Sequence, residues 1–260
     1  MWLFTSNNFR HNYLINEIAK IADEINVIQE CNTLFPGHVS DFRIKNLVVK
    51  KYFERVSEAQ QKIFNNEPIS VKKKINLLSV KYGDLNFLSQ TQLKNFLNSE
   101  IYIVFGSSFI KGELVNFLHK KKAINIHMGI SPYFRGTDSN FWAIYTNNFQ
   151  FVGATIHYLT SGLDDGKILY HALAARNKNP FLYSMLTVKS AIKSLSTKIK
   201  NREIFNCNPV SQEKKKLIKY STKKDFIPNK LKKFDKLIIP KFKHDKSLFV
   251  RPYIYEHNFK

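Results

Sequence analysis

The chain has 260 residues, 43% of them hydrophobic, with 41 Lys and Arg against 20 Asp and Glu for a formal net charge of +21. That share of apolar residues supports one substantial core and excludes the disordered classes, and no apolar run approaches the ~18 residues of a membrane span. The opening Met1-Trp2-Leu3-Phe4-Thr5 has no basic leader or cleavage site, so a cytoplasmic protein is expected; Cys31 and Cys207 stand far apart without ligand spacing, which reads as two incidental reduced thiols and no metal site.

Met1 to Thr5 reads as a first strand, Tyr13 to Ile25 as a helix, Asn26 to Glu30 as a second strand, and Arg43 to Phe64 as a long helix with apolar residues at helical spacing. Leu77 to Val80, Ile101 to Phe105 and Ala123 to His127 follow as strands, separated by helices near Gln90 to Leu97 and Gly112 to Lys120. Phe151 to Leu159 is another strand-like run, Lys167 to Tyr170 resumes an extended pattern, and Leu182 to Ile199 is a closing helix. The alternation predicts an α/β fold with a doubly wound, mostly parallel sheet. No internal repeat is present.

Past Asn208-Pro209 the composition shifts, with 15 Lys or Arg against 5 Asp or Glu from Ser211 to Lys260. Pro228, Pro240 and Pro252 prevent a long helix there, while Leu237-Ile238-Ile239 and Leu248-Phe249-Val250 could pair as short strands. The expected organisation is a catalytic domain over 1–208 and a small, basic, β-rich appendage over 209–260. The appendage reads as a small domain or a sheet-extending hairpin, and a hairpin could make a dimer.

The chemistry concentrates between Ala123 and Leu169. In a strand over 123–127, Asn125 and His127 share one face while Ile124 and Ile126 pack on the other. The turn-rich Met128-Gly129-Ile130-Ser131-Pro132-Tyr133-Phe134-Arg135-Gly136 ends that strand, and Thr160 to Gly166 forms a loop presenting Asp164. Singly these are a turn residue, a structural histidine and ordinary loop chemistry. Together, an amide, an imidazole and a carboxylate can catalyse acyl transfer to an amine without a covalent intermediate. Asn125 would donate to the oxyanion, His127 would donate or shuttle a proton, and Asp164 would orient the imidazole or hold a water.

This combination resembles the folate-dependent formyltransferase family, which includes glycinamide ribonucleotide transformylase, methionyl-tRNA formyltransferase and the sugar N-formyltransferases. The matching text is Asn125-Ile126-His127, Ser131-Pro132, Arg135-Gly136, Phe141-Trp142-Ala143-Ile144, Thr155-Ile156-His157, and Leu163-Asp164-Asp165-Gly166 through Ile168-Leu169. The resemblance implies a Rossmann-like formyltransferase core with Asn125, His127 and Asp164 as catalytic triad and Asp165 as a neighbour only. His157 is either structural or a support of the triad from behind. N10-formyltetrahydrofolate is the implied formyl donor, held by the loop after the strand at 101–105, through Phe105, Gly106, Ser107, Ser108, Phe109, Ile110 and Lys111, and across from it by Leu159, Thr160 and Leu163.

The acceptor follows from layout. About 50 residues remain for a tail, short of the ~100 of the barrel usual in a methionyl-tRNA formyltransferase. The segment Thr5 to His11 lacks the glycine-rich phosphate turn of a glycinamide ribonucleotide enzyme. The layout is closest to sugar N-formyltransferases acting on nucleotide-linked amino sugars, with Arg10, His11, Tyr133 and Arg135 as expected acceptor contacts. A methionyl-tRNA formyltransferase-like enzyme or a basic RNA-binding relative is the alternative, since the positive charge and Phe234, Phe242 and Phe249 suit a polyanion with stacking bases. A glycinamide ribonucleotide formyltransferase ranks below these, and a formyltetrahydrofolate hydrolase, which uses the same triad with water as acceptor, ranks last.

Overall fold

A computed structural model describes residues 1–33, 46–70, 74–93, 98–244 and 253–256. Ten strands are present among these residues: β1 (Trp2–Ser6), β2 (Glu24–Cys31), β3 (Lys74–Lys81), β4 (Tyr102–Phe105), β5 (Ile124–His127), β6 (Phe134–Gly136), β7 (Ala154–Tyr158), β8 (Ile168–Ala174), β9 (Lys219–Ser221) and β10 (Tyr253–Tyr255). Eight of them form one sheet in the order β10-β8-β7-β5-β4-β1-β2-β3, and β6 pairs with β9 apart from it. Only β7 runs antiparallel to its neighbours in the large sheet.

The central strands β1 and β4 are buried on both faces, and their side chains alternate between two apolar clusters. Leu3, Ile103 and Phe105 face one cluster, built with helices α1 (Phe9–Ala19), α2 (Leu47–Phe64) and α6 (Pro180–Lys200). Trp2, Phe4, Tyr102 and Val104 face the other, against helix α4 (Gly112–Lys120). Period-2 alternation with apolar residues on both sides is what a sheet covered by helices on each face requires. The chain reverses its winding between β1 and β4, and in such folds ligands bind outside the carboxyl ends of the strands at that point.

Helix boundaries follow their caps. Asn46 accepts from the N–H groups of Val48 and Val49 at the start of α2, and Asn179, followed by Pro180, accepts from Phe181 and Leu182 at the start of α6. The helix expected over Tyr13 to Ile25 starts at Phe9, where the Asn8 N–H donates to His11 Nδ1, and ends at Ala19; Ile25 belongs to β2, paired with Ile75. The second strand expected over Asn26 to Glu30 and the third over Leu77 to Val80 are longer, at eight residues each. The short helix α3 (Gln90–Leu93) covers the first part of the helix expected to Leu97, whose remainder lies outside the described residues, as do Arg43 to Lys45. A helix that the pattern did not reveal, α5 (Ser139–Tyr145), lies between β6 and β7.

The basic tail is woven into the main body. Val210 bridges to Ile168, β9 pairs with β6, and β10 adds to the sheet parallel to β8. Helix α7 (Pro228–Phe234) buries Leu231 and Phe234 in the larger apolar cluster, where each such side chain contributes about 1.5–3 kcal/mol. Of the hairpin expected of the tail, Leu237 to Ile239 is not a strand but docks on 176–178, with Arg176 Nη1 donating to Ile239 O at 2.6 Å and the Ile239 N–H donating to Lys178 O at 2.9 Å. Its second expected strand, Leu248 to Val250, lies outside the described residues. Among the described residues no helix is long and apolar enough to cross a membrane.

Candidate active site

A cavity of about 850 Å³ opens at the carboxyl ends of β4 and β5. Asn125, His127 and Asp164 all line it, and strand register explains why they meet. Asn125 stands opposite His157 in the antiparallel β5–β7 pair, and His127 lies two residues further on the same face. After β7 the chain turns through the 159–166 loop, which returns Asp164 to this face with its backbone in the left-handed region at φ 51°. Aspartate tolerates that conformation better than most residues.

The side chains form two hydrogen-bonded groups, whose nearest approach is His157 Nε2 to Asp164 Oδ1 at 4.0 Å. His127 Nδ1 lies 3.2 Å from Asp164 Oδ2, both side chains being nearly buried. His127 Nε2 lies 3.2 Å from the carbonyl oxygen of Phe134, so each ring nitrogen meets an oxygen acceptor, an arrangement that accommodates two N–H donors. The Gly136 N–H donates to Asp164 Oδ2 at 3.3 Å. Asn125 Nδ2 donates to His157 Nε2 at 3.0 Å, and His157 Nδ1–H donates to Tyr158 O at 2.8 Å, which fixes both the tautomer and the amide orientation. Burial pushes the His157 imidazole down to about 4, against the opposing pull of Asp164, so the ring is neutral and accepts from Asn125. The second N–H of the Asn125 amide is thereby left for a group in the cavity.

The loop bearing Asp164 is tied from two directions. Arg135 Nη2 donates to Leu163 O at 2.5 Å, and Gln212 Nε2, from the tail, donates to both Asp164 O and Gly166 O at 2.8 Å. Asp165 turns away, its carboxylate accepting from Thr160 Oγ1 within the loop.

The expected donor contacts divide cleanly. Phe105, Gly106, Ser107, Ser108, Phe109 and Ile110 line one side of the cavity, with Leu159, Thr160 and Leu163 across from them. Lys111 does not line it; its backbone N–H donates to Asn86 Oδ1 at 2.8 Å and its ammonium lies over the Phe109 ring. Gly106 has φ 71°, and a Cβ there would meet His11 Nε2 at 2.5 Å, so only glycine lets the wall pass this close to α1.

Of the four expected acceptor contacts, only Arg10 faces the cavity. Its guanidinium donates to Gln60 Oε1 at 2.8 Å and is pushed down to about 10 by burial, partly offset by Asp138. His11 is buried behind Gly106 as part of the α1 start, Tyr133 stacks on Phe151 with centroids 4.2 Å apart, and Arg135 is consumed by the Leu163 carbonyl. The geometry therefore corrects these three: their polar or aromatic groups are used inside the fold. The pattern also did not reveal the apolar part of the cavity, where Tyr52, Phe53, Phe181, Met185 and Phe234 converge from α2, α6 and α7. Their helical spacing reads as ordinary core, and nothing local distinguishes them.

The family model described as Formyl transferase matches residues 89–175, the stretch holding β4, β5, the Asp164 loop and all of β8. Among curated proteins no sequence relative matches. A sugar N-formyltransferase from Shewanella sp FDAARGOS_354 superposes with a TM-score of 0.53 at 16% identity, covering 86% of this chain and 77% of that one. A 4-N formyltransferase from Francisella tularensis gives a TM-score of 0.50 at 17% identity over 86% and 77% of the two chains. A phosphoribosylglycinamide formyltransferase from Anaplasma phagocytophilum gives 0.50 at 18% identity over 76% and 84%. At these identities the likeness is one of fold.

Proposed function

We propose that this chain, which the formyl transferase family model matches over residues 89–175, moves a formyl group from N10-formyltetrahydrofolate to the primary amine of a nucleotide-linked amino sugar. The observation that carries the reading is the meeting of Asn125, His127 and Asp164 between a loop wall on one side and an apolar acceptor space on the other. The cavity, at about 850 Å³, is large enough for a drug-sized ligand.

In the reaction the acceptor nitrogen attacks the formyl carbon, a C–N bond forms, and the bond from that carbon to the donor nitrogen breaks. The free N–H of Asn125 stabilises the oxyanion, and one such donor is worth about 2.7–4 kcal/mol in the transition state. His127, oriented by Asp164, carries the proton from the attacking amine toward the departing nitrogen, so neither a Ser nor a Cys nucleophile is required. The neutral His157 holds the Asn125 amide in its donating orientation. Arg10 is the cation available to an anionic part of the acceptor, such as a diphosphate.

A sugar nucleotide is favoured over glycinamide ribonucleotide by the β1–α1 turn, where Asn7 Nδ2 donates to Asn32 O and Asn7 Oδ1 accepts from the Asn32 N–H, so this side chain is already engaged. The competing nucleic-acid reading draws on the basic tail, where the Lys219 and Lys230 ammoniums lie 4.3 and 4.8 Å from the Trp142 ring centroid. Purified protein incubated with N10-formyltetrahydrofolate and 3-amino and 4-amino sugar nucleotides, glycinamide ribonucleotide and methionyl-tRNA decides the acceptor by mass. One added formyl on a sugar nucleotide supports the proposal, and modification of methionyl-tRNA alone overturns it in favour of RNA.

A further inference from the structure

The wall of the cavity formed by 105–110 is held from behind by groups that the chemistry above does not use. Glu30, near the end of β2, is fully buried. Three donors meet its carboxylate: the Gly83 N–H at 2.8 Å, the Ser108 N–H at 2.5 Å and the Ser108 hydroxyl at 2.8 Å. A buried carboxylate is retained only when it is well satisfied, and here its satisfaction links the ends of β2, β3 and β4. Asn86, in the turn after β3, continues the clamp along the same wall. Its Nδ2 donates to Phe109 O at 3.1 Å and its Oδ1 accepts from the Lys111 N–H at 2.8 Å. Both residues lie upstream of the segment matched to the family, which begins at 89.

We infer that Glu30 and Asn86 are positioning residues for the formyl donor, and this rests on the reading that the donor binds the 105–110 wall. Ser108 to Lys111, anchored otherwise only by Ile110 in the apolar cluster, would be a short connection whose ordering has to be supplied when the ligand binds. With its backbone groups already held, the wall presents a fixed set of donors and acceptors to the donor molecule. The acceptor space on the far side of His127 shares none of these bonds, so the effect is confined to one substrate.

Three measurements on Glu30→Gln and Asn86→Ala test this. Asn86 is only half-buried, so its variant keeps the test available if loss of the buried carboxylate unfolds the protein. Titration with 5-formyltetrahydrofolate as a stable probe, and KM for the formyl donor, should weaken by roughly 5- to 30-fold, the effect of leaving one or two wall groups unpaired. The KM for the acceptor and kcat should stay within about twofold. Hydrogen exchange of the 105–112 peptide in the free protein should accelerate in both variants. Folded variants that bind the probe as the native chain does, or that lose donor and acceptor affinity equally, overturn the inference. If the native protein binds no reduced folate, the formyl-donor reading falls and the positioning role with it, while unchanged exchange at 105–112 would reject the clamp itself.

Discussion

The amide of Asn125 and the imidazole of His157 face each other across the β5–β7 pair at 3.0 Å, and the histidine, kept neutral by burial, accepts. The amide would otherwise rotate freely between its two orientations, only one of which leaves an N–H for an oxyanion. His157→Ala should therefore lower kcat by about 10- to 100-fold, in the range seen when a group orienting an active-site ligand is removed. The KM for either substrate should change little, because binding uses other walls. Steady-state kinetics on a variant with native circular dichroism measures this, and a kcat near that of the native chain would end the orienting role of His157.

His127 and Asp164 carry the proton in the proposed chemistry, and their contact of 3.2 Å is short enough for a direct hydrogen bond. His127→Ala and Asp164→Ala should each reduce turnover by on the order of 10²-fold or more while the fold persists. Both side chains sit at the cavity rather than in the centre of the larger apolar cluster. Purified, folded protein of either variant that turns over at the native rate would remove that residue from the mechanism.

Most of the sheet was legible because alternation is local. β1, β4 and β5 fall within a residue of the runs read from sequence, and α4 matches at both ends. The meeting of Asn125, His127 and Asp164 at one cavity was legible for a related reason, since Asn125 and His127 share one strand and Asp164 sits in one loop bounded by glycines. What could not be read is what the chain brings together from far away. Glu30 reaches Ser108 over 78 residues and Gln212 reaches Asp164 over 48. The short strands of the tail owe their existence to edges supplied by β6 and β8 rather than to their own pattern. Charge also misled: His11 and Arg135 suggest ligand contact in a sequence, but burial turns both toward the protein's own backbone.

Acid should weaken the fold before its carboxylates titrate. Burial pushes His157 and His171 down to about 4 and His11 well below its ordinary 6.5. Between pH 6.5 and 4 the unfolded chain takes up protons on these rings that the folded chain excludes. The free energy of unfolding is thus fully present above pH 6.5 and falls as pH drops through this window, by up to about 1.4 kcal/mol per pH unit for each ring. Denaturant unfolding at pH 7.5 and pH 5 measures the slope. His171→Gln should flatten it, since the amide keeps a donor for Ser131 O, the partner of His171 Nε2 at 3.0 Å, and does not titrate. Equal stability at the two pH values would show that these rings accept protons in the folded state.

Gln212 gives the tail a direct part in the proposed catalysis. Its amide nitrogen donates to the carbonyls of Asp164 and Gly166 at 2.8 Å each, the first of them belonging to the residue whose backbone sits at φ 51°. A backbone held in that region persists only while its surroundings determine it, and Arg135 supplies the other tie through Leu163 O. In Gln212→Ala the two carbonyls lose their donor, the loop gains conformations, and Asp164 spends less time against His127. The expected result is a fall in kcat of about 10-fold, with β9 and α7 still docked through their own strand pairing and apolar contacts. Gln212→Glu sharpens the test by replacing the donor with an acceptor that faces two carbonyl oxygens at the same place, so it should be the more damaged of the two. If Gln212→Ala turns over at the native rate with a native thermal midpoint, then Arg135 alone suffices to hold the Asp164 loop, and the basic tail serves the enzyme only through the surface it presents.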